Sequence, residues 1–284
     1  MDDIQKTKLI QFSLLCREDI IRMSSKGGCF IGASLSCVDI IVTIYQNYLG
    51  LNRNNLSDKN RNIFLLSKGH DVPALYSVMA RMGIFDHKRL NNHCTLDDDI
   101  YWHPNMKIPG VEFHSGSLGH GLAVGIGFAY FQKLNKLKSK TVVMIGDGEM
   151  NEGTIWEGLL TATAKKLNNL IIIIDRNFIQ ANLYTEDLIP LESIEKKIEA
   201  FNCKPIRING HDFDQIDNAL NEAFKAKKPT VIIADTVRGK GLPSIENDPS
   251  RWFVHFSDKE VKMLIDELHG LEEANLKSEK LLVR

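Results

Sequence analysis

The chain lacks an excess of charge of either sign: 35 Lys and Arg stand against 36 Asp and Glu in 284 residues, a formal net charge of -1. Without a basic surplus there is no electrostatic footprint for nucleic acid or for an anionic membrane surface. No apolar run is long enough to cross a bilayer, and Met1-Asp2-Asp3-Ile4-Gln5-Lys6 shows no charged-then-apolar leader pattern. Cysteine is sparse. Cys16, Cys29, Cys37, Cys94 and Cys203 are odd in number and lack metal-type spacing, which argues against a disulfide framework and for a reduced, cytoplasmic setting. Internal repeats and low-complexity segments are absent as well. What is present is 43% hydrophobic residues over a length sufficient for one large α/β domain, expected to occupy residues 1–284.

Two apolar runs stop abruptly at polar residues. Val142, Val143, Met144 and Ile145 end at Gly146-Asp147-Gly148, and Leu170 to Ile174 end at Asp175-Arg176-Asn177. Both read as buried parallel strands, and residues 152–167 between them read as a helix with Ile155, Leu159, Ala162 and Leu167 on one face. In a strand, helix, strand unit the carboxyl ends of the two strands open onto one crevice. Asp147 and Asn177 would then face the same point. A carboxylate and a carboxamide oxygen suit magnesium or calcium, which take oxygen ligands, and magnesium commonly shares its shell with phosphate oxygens. Gly146 and Gly148 would let a phosphate approach the backbone. An Asp-Gly after a strand is often only a turn; the nearby Glu152-Gly153 and the second strand ending near Asn177 weigh against that reading.

These residues resemble the thiamine diphosphate fingerprint, and the flanking sequence resembles the amino-terminal, pyrophosphate-binding domain of transketolases. The likeness extends through Leu66-Ser67-Lys68-Gly69-His70, His103-Pro104, Pro109-Gly110-Val111-Glu112, Gly116-Ser117-Leu118-Gly119 and Thr236-Val237-Arg238-Gly239-Lys240-Gly241. It implies a mostly parallel sheet flanked by helices on both faces. It also implies Asp147, Asn177 and the main-chain oxygen of Ile179 as ligands of Mg2+ or Ca2+, and Gly146 and Gly148 beside the diphosphate. Gly116 and Leu118 would meet the aminopyrimidine through their backbones, with His70 and His103 as the catalytic pair near the reactive carbon. Glu152 would sit at a subunit contact beside the cofactor. Full-length transketolases carry three domains and this chain corresponds to the first. The resemblance therefore implies a separate partner subunit bearing the pyrimidine-binding domain and its glutamate, with two copies of each chain and small-molecule substrates.

Two departures from that family stand out. Phe30, in Gly28-Cys29-Phe30-Ile31-Gly32, occupies the place of a histidine, and the closing loop's phosphate-side histidine falls at Trp252. His255, three residues on, is the candidate to recover that role. A phenyl ring moves no proton, so the reading favours transfer of a ketol or acyl two-carbon unit from a less hydroxylated ketose or a 2-oxo donor to an aldehyde or ketone, in modified-sugar or secondary metabolism. The alternatives are a standard split sugar-phosphate transketolase, the decarboxylating subunit of a 2-oxo acid dehydrogenase, and a degenerate cofactor-binding subunit. Elsewhere, helices are expected over residues 4–23, 35–49, 72–82, 118–134, 213–226 and 256–268, and strands over 205–208 and 230–235. The second of these helices would be free to pack at an interface, and residues 275–284 read as a charged, partly mobile tail.

Overall fold

A computed structural model describes residues 1–278. The helices are α1 (Asp3–Met23), α2 (Ile31–Ser36), α3 (Val38–Thr43), α4 (Val72–Arg81), α5 (His120–Leu134), α6 (Gly153–Ala164), α7 (Thr185–Leu188), α8 (Ile194–Ala200), α9 (Phe213–Lys225) and α10 (Asp258–Leu268). The strands are β1 (Ile63–Leu66), β2 (Thr141–Gly146), β3 (Leu170–Arg176), β4 (Ile179–Gln180), β5 (Leu183–Tyr184), β6 (Lys204–Asn209) and β7 (Thr230–Asp235). Five form one wholly parallel sheet in the order β1-β2-β3-β7-β6, and β4 and β5 make a small antiparallel hairpin.

The sheet is covered on both faces, and the two-residue period of each strand sorts its side chains between two cores. Val142, Met144, Ile171, Ile173 and Ile232 point into a core with α1–α4, α9 and α10, while Val143, Ile145, Ile172, Ile174 and Val231 point into another with α5, α6 and α8. Ile155, Leu159, Ala162 and Leu167, the residues that mark a helix over 152–167, are all buried. Continuous helix over 35–49 does not form. The chain leaves helical geometry at Cys37 and resumes as α3, and Ile44–Leu49 is a π-helical turn. The β-branched run from Val38 to Ile44 is a poor helix former held by burial. Nor is this segment available to another chain, because Leu35, Val38, Ile40, Ile41 and Ile44 lie in this chain's own core.

β1, α7, α8 and the β4–β5 hairpin lie outside the expectations from sequence, as does α2 but for its last two residues. An apolar run of four, such as Ile63-Phe64-Leu65-Leu66, carries too little periodicity to tell strand from helix. The start of the expected tail is tied down, since Glu260 accepts from the backbone N–H groups of Lys277 and Ser278 at 2.9 and 2.8 Å. Residues 279–284 lie outside the described residues.

His93 gives the fold a defined acid sensitivity. Its ring is fully buried, Nε2 lies 3.2 Å from the Gly28 carbonyl, and Nδ1 has no partner. Burial pushes its pKa from 6.5 down to about 4. Between those values the unfolded chain takes up a proton that the folded chain refuses, so stability is full above 6.5 and is lost as pH falls towards 4, by about 3 kcal/mol. Urea midpoints measured across that range should show this slope in the wild type and lose it in His93→Phe.

Candidate functional site

Four of the five sheet strands deliver their carboxyl ends to one place: Lys68 after β1, Asp147 after β2, Asn177 after β3 and Arg238 after β7. The β2–β3 register sets Gly146 beside Asp175, so Asp147 and Asn177 emerge next to each other. They line one cleft together with His70, Leu118, Gly146, Gly148, Ile179 and Trp252.

Asp147 is 1% exposed, and its orientation is fully determined. Oδ1 accepts from the Gly148 N–H at 2.7 Å, and Oδ2 accepts from the Phe178 N–H at 2.8 Å and from Arg176 Nη1 at 3.0 Å. Burial and the neighbouring Asp175 push its pKa up to about 6 against the pull of Arg176. Asn177 is held at both ends of its amide: Nδ2 donates to Asp175 at 2.9 Å, and Oδ1 accepts from the Ile179 N–H at 3.1 Å. Such outer contacts fix which atom of a ligand faces an ion.

Beneath these groups lies a buried ionic layer. Lys68, 1% exposed, pairs with Asp175 and with Asp71 at 2.5 Å. Burial opposes the charge on Lys68, but the two carboxylates outweigh it and hold the ammonium well above its ordinary range. Asp175 also accepts from Ser36 at 2.7 Å and Thr236 at 2.5 Å; burial works against its charge, and Lys68 and these donors bring its pKa below the ordinary value. Arg176, fully buried, joins Asp147 to Glu186 and Glu192 and lies 4.1 Å from the Phe178 ring centroid. Arg238 is 3% exposed. Its Nη1 reaches the Ile179 carbonyl at 3.5 Å, but Nε and Nη2 have no hydrogen-bond partner, and burial lowers its pKa. A buried cation with orphaned donors in a cleft is matched by an anionic ligand.

The sequence-derived residues separate into three groups. Leu118, Gly146, Asp147, Gly148, Asn177, Ile179 and His70 line the cleft. His103 and Gly116 line an adjoining groove, in close contact with each other. Gly116 has φ +139, and a Cβ there would sit 2.5 Å from His103, so only glycine fits. Burial lowers the pKa of both His70 and His103, leaving neutral imidazoles at pH 7. Glu152 is exposed at the start of α6, outside both surfaces. His255 also lies outside both surfaces: it is exposed, and its Nε2 lies 3.1 Å from the Ser25 carbonyl. Sequence reasoning missed Lys68, Asp71, Asp175, Arg176 and Arg238 as members of the site. A signal existed, because a charged pair continuing a fully apolar strand, Asp175-Arg176 after four isoleucines, has to find buried partners.

The residues fit a metal-bound diphosphate. Asp147, Asn177 Oδ1 and the Ile179 carbonyl offer only oxygen, as a hard cation requires. Among the described residues no group of three or more His, Cys, Asp or Glu could hold a metal alone, so an ion here would complete its shell with ligand oxygens. The orphaned Arg238 donors are open to a matching anionic contact. The family model for the transketolase, thiamine diphosphate binding domain matches residues 6–276. The chain belongs to that family. One relative, a subunit of the apulose-4-phosphate transketolase of Actinobacillus succinogenes, is 35% identical over 250 residues, covering 88% of this chain and 91% of the relative. A 6-deoxy-6-sulfo-D-fructose transketolase subunit from a Clostridium species is 32% identical over 240 residues, covering 84% and 87%. The solved transketolase of Campylobacter jejuni superposes with a TM-score of 0.82 at 28% identity over 92% of this chain, which spans only 43% of that transketolase. This transketolase-family chain therefore has the fold that its sequence led one to expect. Among its described residues, no helix is long and apolar enough to cross a membrane.

Proposed function

We propose that this chain is the diphosphate-binding subunit of a two-component, transketolase-like transferase that moves a two-carbon ketol or acyl unit from a ketose or 2-oxo donor to an aldehyde or ketone. The observation that carries this reading is the set of oriented oxygens, Asp147, Asn177 and Ile179, beside the orphaned donors of Arg238. The relatives' names support the two-component form and a modified-sugar setting, since they are subunits of transketolases acting on apulose 4-phosphate and a sulfofructose.

In this reading Asp147, Asn177 and the Ile179 carbonyl hold Mg2+, or Ca2+ in its place. Arg238 faces the diphosphate, and the backbones of Gly116 and Leu118 meet the aminopyrimidine. When bound, thiamine diphosphate supplies the electron sink that lets a carbonyl carbon act as a nucleophile. His70 and His103, neutral through burial, each offer an N–H to oxygen that gains charge during transfer. The pyrimidine-side glutamate comes from a partner subunit in a cytoplasmic assembly with two copies of each chain.

Calorimetric titration of thiamine diphosphate tests this directly. Binding should require a divalent ion, with EDTA weakening it at least about 100-fold, and transfer should appear only when the partner is added. Saturable binding that ignores EDTA, or full activity of this chain alone, would count against the proposal.

A further inference from the structure

Arg238 is a buried cation that the fold has to hold in place. Its Nε and Nη2 have no hydrogen-bond partner and burial lowers its pKa, so an unrestrained side chain here would turn out to water. Its stem lies on Gly32 of α2, where a Cβ would meet the Arg238 Cγ at 3.0 Å and Nε at 3.1 Å. The restraint comes from the backbone on either side. The Val237 N–H donates to His211 Nε2 at 2.8 Å, the Gly239 N–H donates to the Gly32 carbonyl at 2.8 Å, and the Lys240 carbonyl accepts from Arg17 Nε at 3.1 Å.

The contacts at Val237 and Lys240 lead back to one buried carboxylate. Asp39, on α3 and 4% exposed, accepts from Arg17 Nη1 and Nη2, each at 2.8 Å, and its Oδ2 lies 2.9 Å from His211 Nδ1. These partners fix the tautomer of the histidine. A backbone N–H can only donate, so Nε2 must present its lone pair to Val237, and the ring hydrogen sits on Nδ1, where Asp39 accepts it. Burial works against the charge on Asp39; Arg17 and the hydrogen bond from His211 outweigh it and hold the carboxyl well below its ordinary range. His211 lies between β6 and α9, with its side chain 12% exposed. Thus α1, α3 and the β6–α9 connection, none of which lines the cleft, meet behind the segment that carries Arg238.

We propose that His211 is a positioning residue for diphosphate binding: oriented by Asp39, it clamps the backbone at Val237 so that Arg238 meets the ligand already in place. This rests on the reading above that Arg238 faces the diphosphate. A charge fixed in advance needs no ordering when the ligand arrives, which strengthens binding. Carboxylate–imidazole pairs behind metal sites act in the same way, and losing such an outer partner typically weakens binding about 10–100-fold.

The test uses the chain assembled with its partner, with thiamine diphosphate titrated calorimetrically at fixed magnesium. His211→Ala should weaken binding about 10–100-fold. Two near-isosteres separate the roles of the two ring nitrogens. His211→Gln places an amide oxygen where Nε2 stands and should restore most of the affinity. His211→Asn keeps a donor for Asp39 but offers Val237 no acceptor, and should bind as weakly as His211→Ala. A double-mutant cycle with Arg238→Met supplies a readout that a merely structural histidine would not move. If His211 acts through Arg238, His211→Ala should cost less than about twofold in that background. Losses that add in the cycle would overturn the proposal. So would wild-type affinity in His211→Ala, or rescue by asparagine and not by glutamine, which would make His211 a partner of Asp39 alone. If Arg238→Met by itself binds thiamine diphosphate like the parent, the placing of Arg238 at the diphosphate fails, and this inference with it. A parent complex that binds no thiamine diphosphate would instead sink the cofactor reading.

Discussion

Asp147→Asn should raise the concentration of thiamine diphosphate needed for half-saturation, at fixed magnesium, by at least about 100-fold. The substitution preserves shape, so the loss reports charge and hydrogen bonding. Asp147 accepts on both oxygens, from Gly148 on one side and from Phe178 and Arg176 on the other. A carboxamide must turn its NH₂ towards one of those sides, placing donor against donor. The ion also loses an anionic ligand. Because the wild-type carboxyl sits at about 6, a proton competes with the ion there, and wild-type metal affinity should fall about tenfold per pH unit below that value. The variant should lose this dependence. Calorimetry between pH 5 and 8 would check both outcomes, and an unchanged affinity in the variant would remove Asp147 from the site. Arg176 keeps Glu186 and Glu192 as partners, so the fold should survive, at a cost near the lower end of about 3–5 kcal/mol for breaking a buried pair.

Lys68→Met should cost the fold more. It strips the ammonium from Asp71 and Asp175, both fully buried. Removing one partner of a buried pair typically costs about 3–5 kcal/mol because the remaining charge stays desolvated. Asp175 keeps Ser36, Thr236 and Asn177 as donors, whereas Asp71 keeps no comparable set, having only His70 Nε2 at 3.4 Å. The pH dependence carries a definite sign. Carboxylates left without their cation have raised folded-state pKa values, so the deficit should grow as pH rises and shrink in acid. Urea denaturation at pH 5 and pH 8 would measure it, and equal midpoints for wild type and variant would show that the ionic layer contributes no net stability. Since Asp175 also orients the Asn177 amide, cofactor affinity should fall about 10–100-fold in the folded fraction.

Much of the site was legible because its chemistry is local. Val142 to Ile145 ending at Gly146-Asp147-Gly148 announces both a buried strand and the carboxylate that follows it, and Leu170 to Ile174 does the same for Asn177. Parallel pairing then placed the two side by side, as the register from Thr141 to Gly146 against Leu170 to Asp175 bears out. The helices were legible where their apolar faces repeat, as in α6. They were less so where the segment is apolar all round, as from Ile31 to Leu49, because periodicity carries no information there.

The fold class, the family and the placing of Asp147 beside Asn177 were legible in the sequence alone, since strand burial and the residue ending each strand depend on near neighbours in the chain. Tertiary structure decided which charges were matched and which departures belonged together. Lys68 meets Asp175, Arg176 meets Asp147, Arg238 is left with open donors, His255 turns away to Ser25, and Phe30 meets Trp252. These are contacts between the ends of different strands and loops. Their partners are chosen by the order in which the sheet assembles, and no spacing along the chain encodes that order.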